Sequence, residues 1–250
     1  MDSRVQRFRP LVGGISIGHK NITAGTLGCF VEDINGKIYI LSNNHILANE
    51  NDAKIGDEIL QPAPYDGGKI PDDVVGKLYK FVEIKFPESS CLLSSIIVKI
   101  LNFISKILGR KTRFKIYSTE YPQNEVDCAI AEPTVEINNE ILEIGKPKGS
   151  ARVKEGEKVM KSGRTTGLTE GEVISESVDV KVWYSKGQAL FVNQILVRTN
   201  VQGGDSGSAL VNKDGYVVGL IFAGTEDGSI GIANHIYKVE EALGVKVCTR

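Results

Sequence analysis

The 250-residue chain is 41% apolar and 24% charged, with a formal net charge of −1. That balance suits one large or two small globular domains and gives no support for nucleic acid as a partner. The four cysteines, Cys29, Cys91, Cys128 and Cys248, are widely spaced with no C-x-x-C pair, which excludes a standard zinc pattern and matches scattered thiols in a reducing compartment. Residues 1–10 are polar and basic with no apolar run behind them, so they do not read as a secretory signal, and a cytoplasmic location is expected.

Leu11 to Gly18 reads as an extended segment broken by glycine. Thr26–Glu32 and Ile38–Ser42 flank Asp33-Ile34-Asn35-Gly36-Lys37, the pattern of a β-hairpin. The second of these strands runs into Asn43-Asn44-His45, which puts a histidine at a strand end. In Ile55–Pro62 Gly56-Asp57 turns the chain and Pro62 closes the run, and another strand is expected at Val74–Val82.

From Cys91 to Leu108 the texture changes. The run is mostly apolar, and Ser95, Lys99, Asn102 and Lys106 recur at helical spacing on one narrow polar face. Arg110, Lys111, Arg113 and Lys115 follow. With Lys99 inside it the segment is a poor transmembrane span. A helix packed on the domain, an oligomer contact and an in-plane membrane anchor with basic flanks are the three readings.

Glu125–Ala131 reads as an apolar strand carrying one acid, Asp127, which needs a partner if buried. Pro133–Pro147 reads as a polar loop between two halves. Beyond it, Val159–Ser162, Glu172–Ser175, the strictly alternating Val178–Tyr184, Phe191–Thr199 and Tyr216–Phe222 are β-like. Asn234 is placed as the cap of a terminal helix with Ile236, Val239 and Leu243 on one face and Gly244 at its end. Regular short strands with glycine turns and few helices indicate an all-β sandwich or barrel.

The stretch Gly203-Gly204-Asp205-Ser206-Gly207-Ser208 sets a serine in a glycine-flanked turn. It reads as an ordinary polar turn or as a nucleophile whose Gly204 and Ser206 N–H groups face a developing oxyanion. A nucleophilic serine needs a base. Of the three histidines, His19 and His235 read as solvent-facing or capping, whereas His45 ends an apolar strand. An imidazole base needs an acceptor, and Asp127 is the acid otherwise unexplained. The order His, Asp, Ser is that of chymotrypsin.

At these residues the chain resembles the trypsin/chymotrypsin-like serine peptidases, in particular bacterial-type members without the animal disulfides. The similarity lies in Leu41-Ser42-Asn43-Asn44-His45-Ile46-Leu47, Asn124-Glu125-Val126-Asp127-Cys128-Ala129-Ile130 and Gly204-Asp205-Ser206-Gly207-Ser208-Ala209-Leu210. Supporting similarity comes from Lys161–Gly167 and Val218–Gly224. The resemblance implies two six-stranded antiparallel β-barrels, 11–145 with a helical insertion at 88–113, and 146–250 with a C-terminal helix, behind a tail at 1–10. It implies a serine endopeptidase with catalytic His45, Asp127 and Ser206 and an oxyanion hole at Gly204 and Ser206. Asn200, Val201, Phe222, Ala223 and Gly224 are expected to contact a peptide or protein substrate.

No aspartate stands at the pocket base, so a small or apolar rather than basic substrate side chain is expected. Phe222 replaces the family's serine that bonds the triad acid, Ile46 replaces the half-cystine after the histidine, and Pro10 precedes Leu11-Val12-Gly13-Gly14 where zymogens are cleaved. Asp127 and Asp205 therefore need other partners, and no processing is expected. A peptide-binding module of the same fold without turnover is the alternative. No metal or phosphate motif occurs, so no metal and no cofactor are expected. A membrane surface or another subunit is the candidate partner of 91–108.

Overall fold

The computed structural model describes residues 3–22, 24–87, 92–114 and 121–250. Cys91, Lys115 and the first residues of the expected insertion lie outside them. In chain order the first part forms β1 (Leu11–Gly13), β2 (Ser16–His19), β3 (Gly25–Thr26), β4 (Cys29–Glu32), β5 (Ile38–Ser42), the single helical turn α1 (Asn44–Leu47), β6 (Glu58–Leu60) and β7 (Val74–Phe81). Helix α2 (Leu92–Ile107) is followed by β8 (Gln123–Asn124), β9 (Ala129–Pro133) and β10 (Ile137–Ile141). The remainder is β11 (Lys158–Gly163), β12 (Gly167–Tyr184), β13 (Gly187–Arg198), β14 (Ala209–Asn212), β15 (Val217–Gly224), β16 (Ile230–His235), α3 (Ile236–Leu243) and β17 (Lys246–Val247).

The first sheet runs β17-β4-β5-β9-β7-β6-β2-β3 and the second β12-β11-β14-β15-β16-β13-β8, with β12 also pairing β13 to close a ring. Setting aside the two-residue stubs β17, β3 and β8, each sheet has six longer strands. The hairpin around Asn35-Gly36 forms as its sequence demands. Asp33 accepts from the N–H groups of Asn35 and Lys37, both at 2.9 Å, and Gly36 takes φ +77°.

Two segments differ from expectation. Pro133–Pro147 contains β10, which pairs in parallel with β1. Its polar texture hides an inward Asn139 whose amide donates to the Cys248 and Arg250 carbonyls at 2.8 and 3.0 Å. Asp127 lies just ahead of β9, not inside a strand. Side chains take its neighbours' backbone groups instead: Gln194 Nε2 donates to Glu125 O at 2.9 Å and Asn43 Nδ2 to Asp127 O at 2.8 Å.

Each sheet encloses an apolar cluster, around Phe30 and Leu47 in the first and around Ile195 and Leu210 in the second. A third cluster joins them: Cys29, Val31 and Leu41 pack with Ala209, Leu220, Ile236 and Val239. Among the described residues Cys29, Cys128 and Cys248 are free, buried thiols.

Candidate active site

Strand β5 ends at Ser42, and the extended Asn43 (φ −78°, ψ 159°) turns the chain into α1. That turn projects His45 from the end of the first sheet. Its Nδ1 lies 2.6 Å from Asp127 Oδ2, and its backbone N–H donates to Oδ1 at 3.3 Å. Asp127 is fully buried, so its carboxylate must be satisfied by protein groups. Besides His45 it receives the Tyr184 hydroxyl, which donates to Oδ2 at 2.8 Å. The Asp127 N–H donates to Asn234 Oδ1 at 3.0 Å, and Asn234 Nδ2 donates in turn to Gln194 Oε1 at 2.6 Å.

Tyr184 thus does the work expected of a serine at position 222. It ends β12, on the inward phase shared with Val178, Val180 and Val182. Its ring packs edge-on against His45 with centroids 5.8 Å apart. Burial pushes its phenol pKa well up, and the neighbouring Asp127 charge adds to this, so the group stays a neutral donor. The hairpin tip that carries it is tied to the loop after α1: Ser185 N–H donates to Glu50 Oε2 at 3.1 Å, and Lys186 Nζ reaches Glu50 O and Asp52 Oδ1, both at 2.6 Å.

Ser206 comes from the turn between β13 and β14. Thr26 in β3 donates its N–H to Ser206 O and its hydroxyl to Gly204 O, both at 2.8 Å, so the first sheet grips the serine turn directly. Gly207 sits at φ +96°, and a Cβ there would collide with the Thr26 carbonyl and the Ser42 hydroxyl; only glycine fits. The N–H groups of Gly204 and Ser206 have no acceptor among the described residues, whereas Asp205 N–H donates to Gln202 O at 3.0 Å. Ser206 Oγ itself donates to Phe222 O at 3.3 Å.

Asp205 has a full set of partners. Thr165 and Thr166 N–H groups donate to Oδ1 at 2.9 and 3.0 Å; Gln202 N–H and the Thr166 hydroxyl donate to Oδ2 at 3.0 and 2.7 Å. The buried ammonium of Lys161 lies 3.3 Å from Oδ2 and also meets Thr166 Oγ1. Burial lowers the Lys161 pKa while the Asp205 charge opposes the shift. The serine turn is therefore braced from within by Lys161, Thr165, Thr166 and Gln202.

Ser206 stands between two cavities. One, of about 390 Å³, is shared with His45, Ile22, Ile46 and Gly204. The other, of about 530 Å³, is lined by Val201, Gly203, Ala223, Gly224, Glu226 and Asp227 among others. Strand β14 begins at Ala209, opposite Leu220 of β15, leaving the Ala223–Gly224 edge open beside the serine. Val201, Ala223 and Gly224 thus line the cleft. The Phe222 side chain instead packs on Phe191 with ring centroids 4.8 Å apart, and only its carbonyl meets Ser206. Asn200 is exposed.

The other two histidines are occupied elsewhere. His19 is buried, with Nε2 3.1 Å from Asp57 Oδ2; it is not solvent-facing. His235, not Asn234, holds the cap position of α3, and its side chain donates from Nε2 to Glu176 O at 2.8 Å instead of capping the helix.

The family model for the trypsin-like peptidase domain matches residues 25–220. The chain belongs to this family. No curated protein matches it in sequence. Among solved structures, the trypsin-like peptidase fold recurs in Thermobifida fusca protease A, 15% identical, covering 96% of this chain and 98% of that one with a TM-score of 0.59. Cellulomonas bogoriensis chymotrypsin is 15% identical over 96% and 98% of the two chains, with a TM-score of 0.57. A glutamic acid specific serine protease, described as using a histidine triad in substrate binding, is 19% identical over 95% and 100%, with a TM-score of 0.60. At these identities the likeness concerns the fold of a trypsin-like peptidase domain with two curled β-sheets.

Proposed function

We propose that the protein is a serine endopeptidase acting through His45, Asp127 and Ser206. The observation that carries this reading is the convergence on one cleft of a carboxylate-bound imidazole, a serine hydroxyl and two unengaged N–H groups. Asp127 holds Nδ1 of His45 protonated and leaves Nε2 to take the Ser206 proton. Oγ then adds to the scissile carbonyl, and the oxyanion is received by Gly204 and Ser206 N–H. His45 returns the proton to the departing amine, and water, activated by the same imidazole, releases the acyl group. Asp205 and Lys161 keep the oxyanion turn in shape. The peptide backbone adds to the Ala223–Gly224 edge as an extra strand. The pocket beside it carries Glu226 and Asp227 and no basic lining residue, which disfavours an acidic substrate side chain there; the glutamate preference of the structural neighbour does not carry over.

A fluorophosphonate probe should label wild-type protein at Ser206. Ser206→Ala should abolish labelling and lower kcat on a cleaved peptide by about 10⁶-fold, the scale of a triad knock-out. Folded wild-type protein that binds peptide yet neither labels nor turns over would replace this reading with that of a peptide-binding module.

A further inference from the structure

Among the described side chains of helix α2, those from Ser94 onward, none belongs to any of the apolar clusters, although the helix is among the most apolar stretches of the chain. At 100° per residue, Phe103, Ile96, Ile107, Ile100, Ile104, Ile97 and Leu101 occupy a continuous arc of about 160°. All seven are exposed, Phe103 by 64% and Ile107 by 68%. The segment after the helix folds back along the opposite flank: Ser105 Oγ donates to Thr112 O at 2.8 Å, Asn102 Nδ2 to Phe114 O at 3.0 Å, and Phe114 N–H to Asn102 Oδ1 at 2.8 Å. The chain thus covers the side chains that need hydrogen bonds and leaves the apolar arc bare. Isolated apolar side chains on a surface are ordinary, but a contiguous face of this width marks an interaction site.

Charge selects the occupant. Residues 92–114 hold Lys99, Lys106, Arg110, Lys111 and Arg113 and no carboxylate, in a chain whose overall formal charge is −1. Pairing two copies through this helix would set like charges against each other. An anionic bilayer satisfies both features: the apolar arc enters the acyl boundary while the lysine and arginine heads stay at the phosphate level. At 16 residues the helix is about 24 Å long, and no described helix is long and apolar enough to cross a membrane, so the fit is parallel to the surface.

The described residues that precede the helix in sequence, up to Pro87, lie beside the cleft. Asn124 clamps Lys85 from both sides, accepting its N–H at 2.8 Å and donating to its carbonyl at 2.9 Å, and also donates to Leu190 O at 3.1 Å. Phe86 packs edge-on against Tyr184 with ring centroids 5.7 Å apart. We infer that α2 is an in-plane anchor that docks this protein on an anionic lipid bilayer.

The test is co-sedimentation of the full chain with vesicles of phosphatidylcholine alone or mixed with phosphatidylglycerol, alongside light scattering for oligomeric state. Wild-type protein should partition onto the mixed vesicles, less so as salt is raised. Ile100→Glu with Phe103→Glu should abolish binding. Lys106→Ser with Arg110→Ser should weaken it about thirtyfold, at roughly a fivefold loss per cation. All these positions are exposed, so the thermal melt of each variant should match wild type, confirming that the body is intact. Absence of binding to mixed vesicles, or binding that survives Ile100→Glu with Phe103→Glu, overturns the inference. So does a wild-type dimer that this pair converts to monomer, which would make a second copy the occupant. The inference rests on the helix surface and stands apart from the peptidase reading.

Discussion

A buried carboxylate that orients a histidine needs donors that hold it ionised without competing for the imidazole. Tyr184 is such a donor: its hydroxyl meets Asp127 Oδ2 at 2.8 Å and its pKa is pushed up by burial, so it does not ionise in the working range of the site. A hydrogen bond to a charged group contributes about 1.5–3 kcal/mol, and Asp127 keeps its other partners when this one is lost. Tyr184→Phe should therefore lower kcat about tenfold and leave KM unchanged, because the phenol reaches the substrate only through Asp127 and His45. Steady-state kinetics on a peptide substrate would show it; a rise in KM with kcat preserved would mean that the ring shapes the binding cleft instead. The proposed triad was legible because each member is odd in its context: a histidine ending an apolar run, an acid inside another, a serine among glycines. Tyr184 was not, since a tyrosine on the inward phase of an alternating strand looks like any half-buried aromatic. Only the reach of the β12–β13 hairpin across to Glu50 and Asp52 brings its hydroxyl to Asp127.

Elements were read well where periodicity was strong and poorly where side chains replaced backbone partners. The apolar face Ile236, Val239 and Leu243 located α3, but Asn234 is spent on Asp127 and Gln194, which moves the cap to His235. This junction has a pH dependence. His235 Nε2–H donates to Glu176 O at 2.8 Å, and Nδ1 is buried with no partner among the described residues. Burial first, then Arg152 and Lys238, pull its pKa below the ordinary value, against the Glu176 carbonyl. With the folded pKa below the unfolded one, the unfolded chain binds the extra proton in the interval between them, so stability rises with pH there. The contribution is complete above about pH 6.5, the unfolded value, and is lost as pH falls through the folded pKa. Thermal melts from about pH 8 to about pH 5 should show wild-type protein losing stability in this window. His235→Gln, which can keep the bond to Glu176 O without titrating, should lose less. Parallel curves for the two proteins would remove His235 as the source.

Across the whole molecule, the two curled sheets share an interior. Strand β17 pairs with β4 of the first sheet, while α3 leads into it directly from β16 of the second. Val247 N–H donates to Glu240 Oε1 at 3.0 Å and Cys248 N–H to Phe30 O at 3.0 Å. The last residues therefore close the cluster in which Cys29 sits beside Val245 and Val247. Burial pushes the Cys29 thiol up to about 12 and the Cys128 thiol well above its ordinary value. At neutral pH neither offers a thiolate, and neither is accessible to a reagent. An aromatic disulfide reagent should leave Cys29, Cys128 and Cys248 unmodified in the native protein and react with them only on unfolding, as mass spectrometry can assign. Removing residues 245–250 strips two buried valines, each contributing about 1.5–3 kcal/mol, from a fold whose net stability is of order 5–15 kcal/mol. The truncated chain should melt at a lower temperature, and Cys29 should react before the main transition, because the shared cluster opens at its edge. If Cys29 stayed as protected in the truncated chain as in the full one, the sheets would be stable independently and the shared cluster would be contact without coupling.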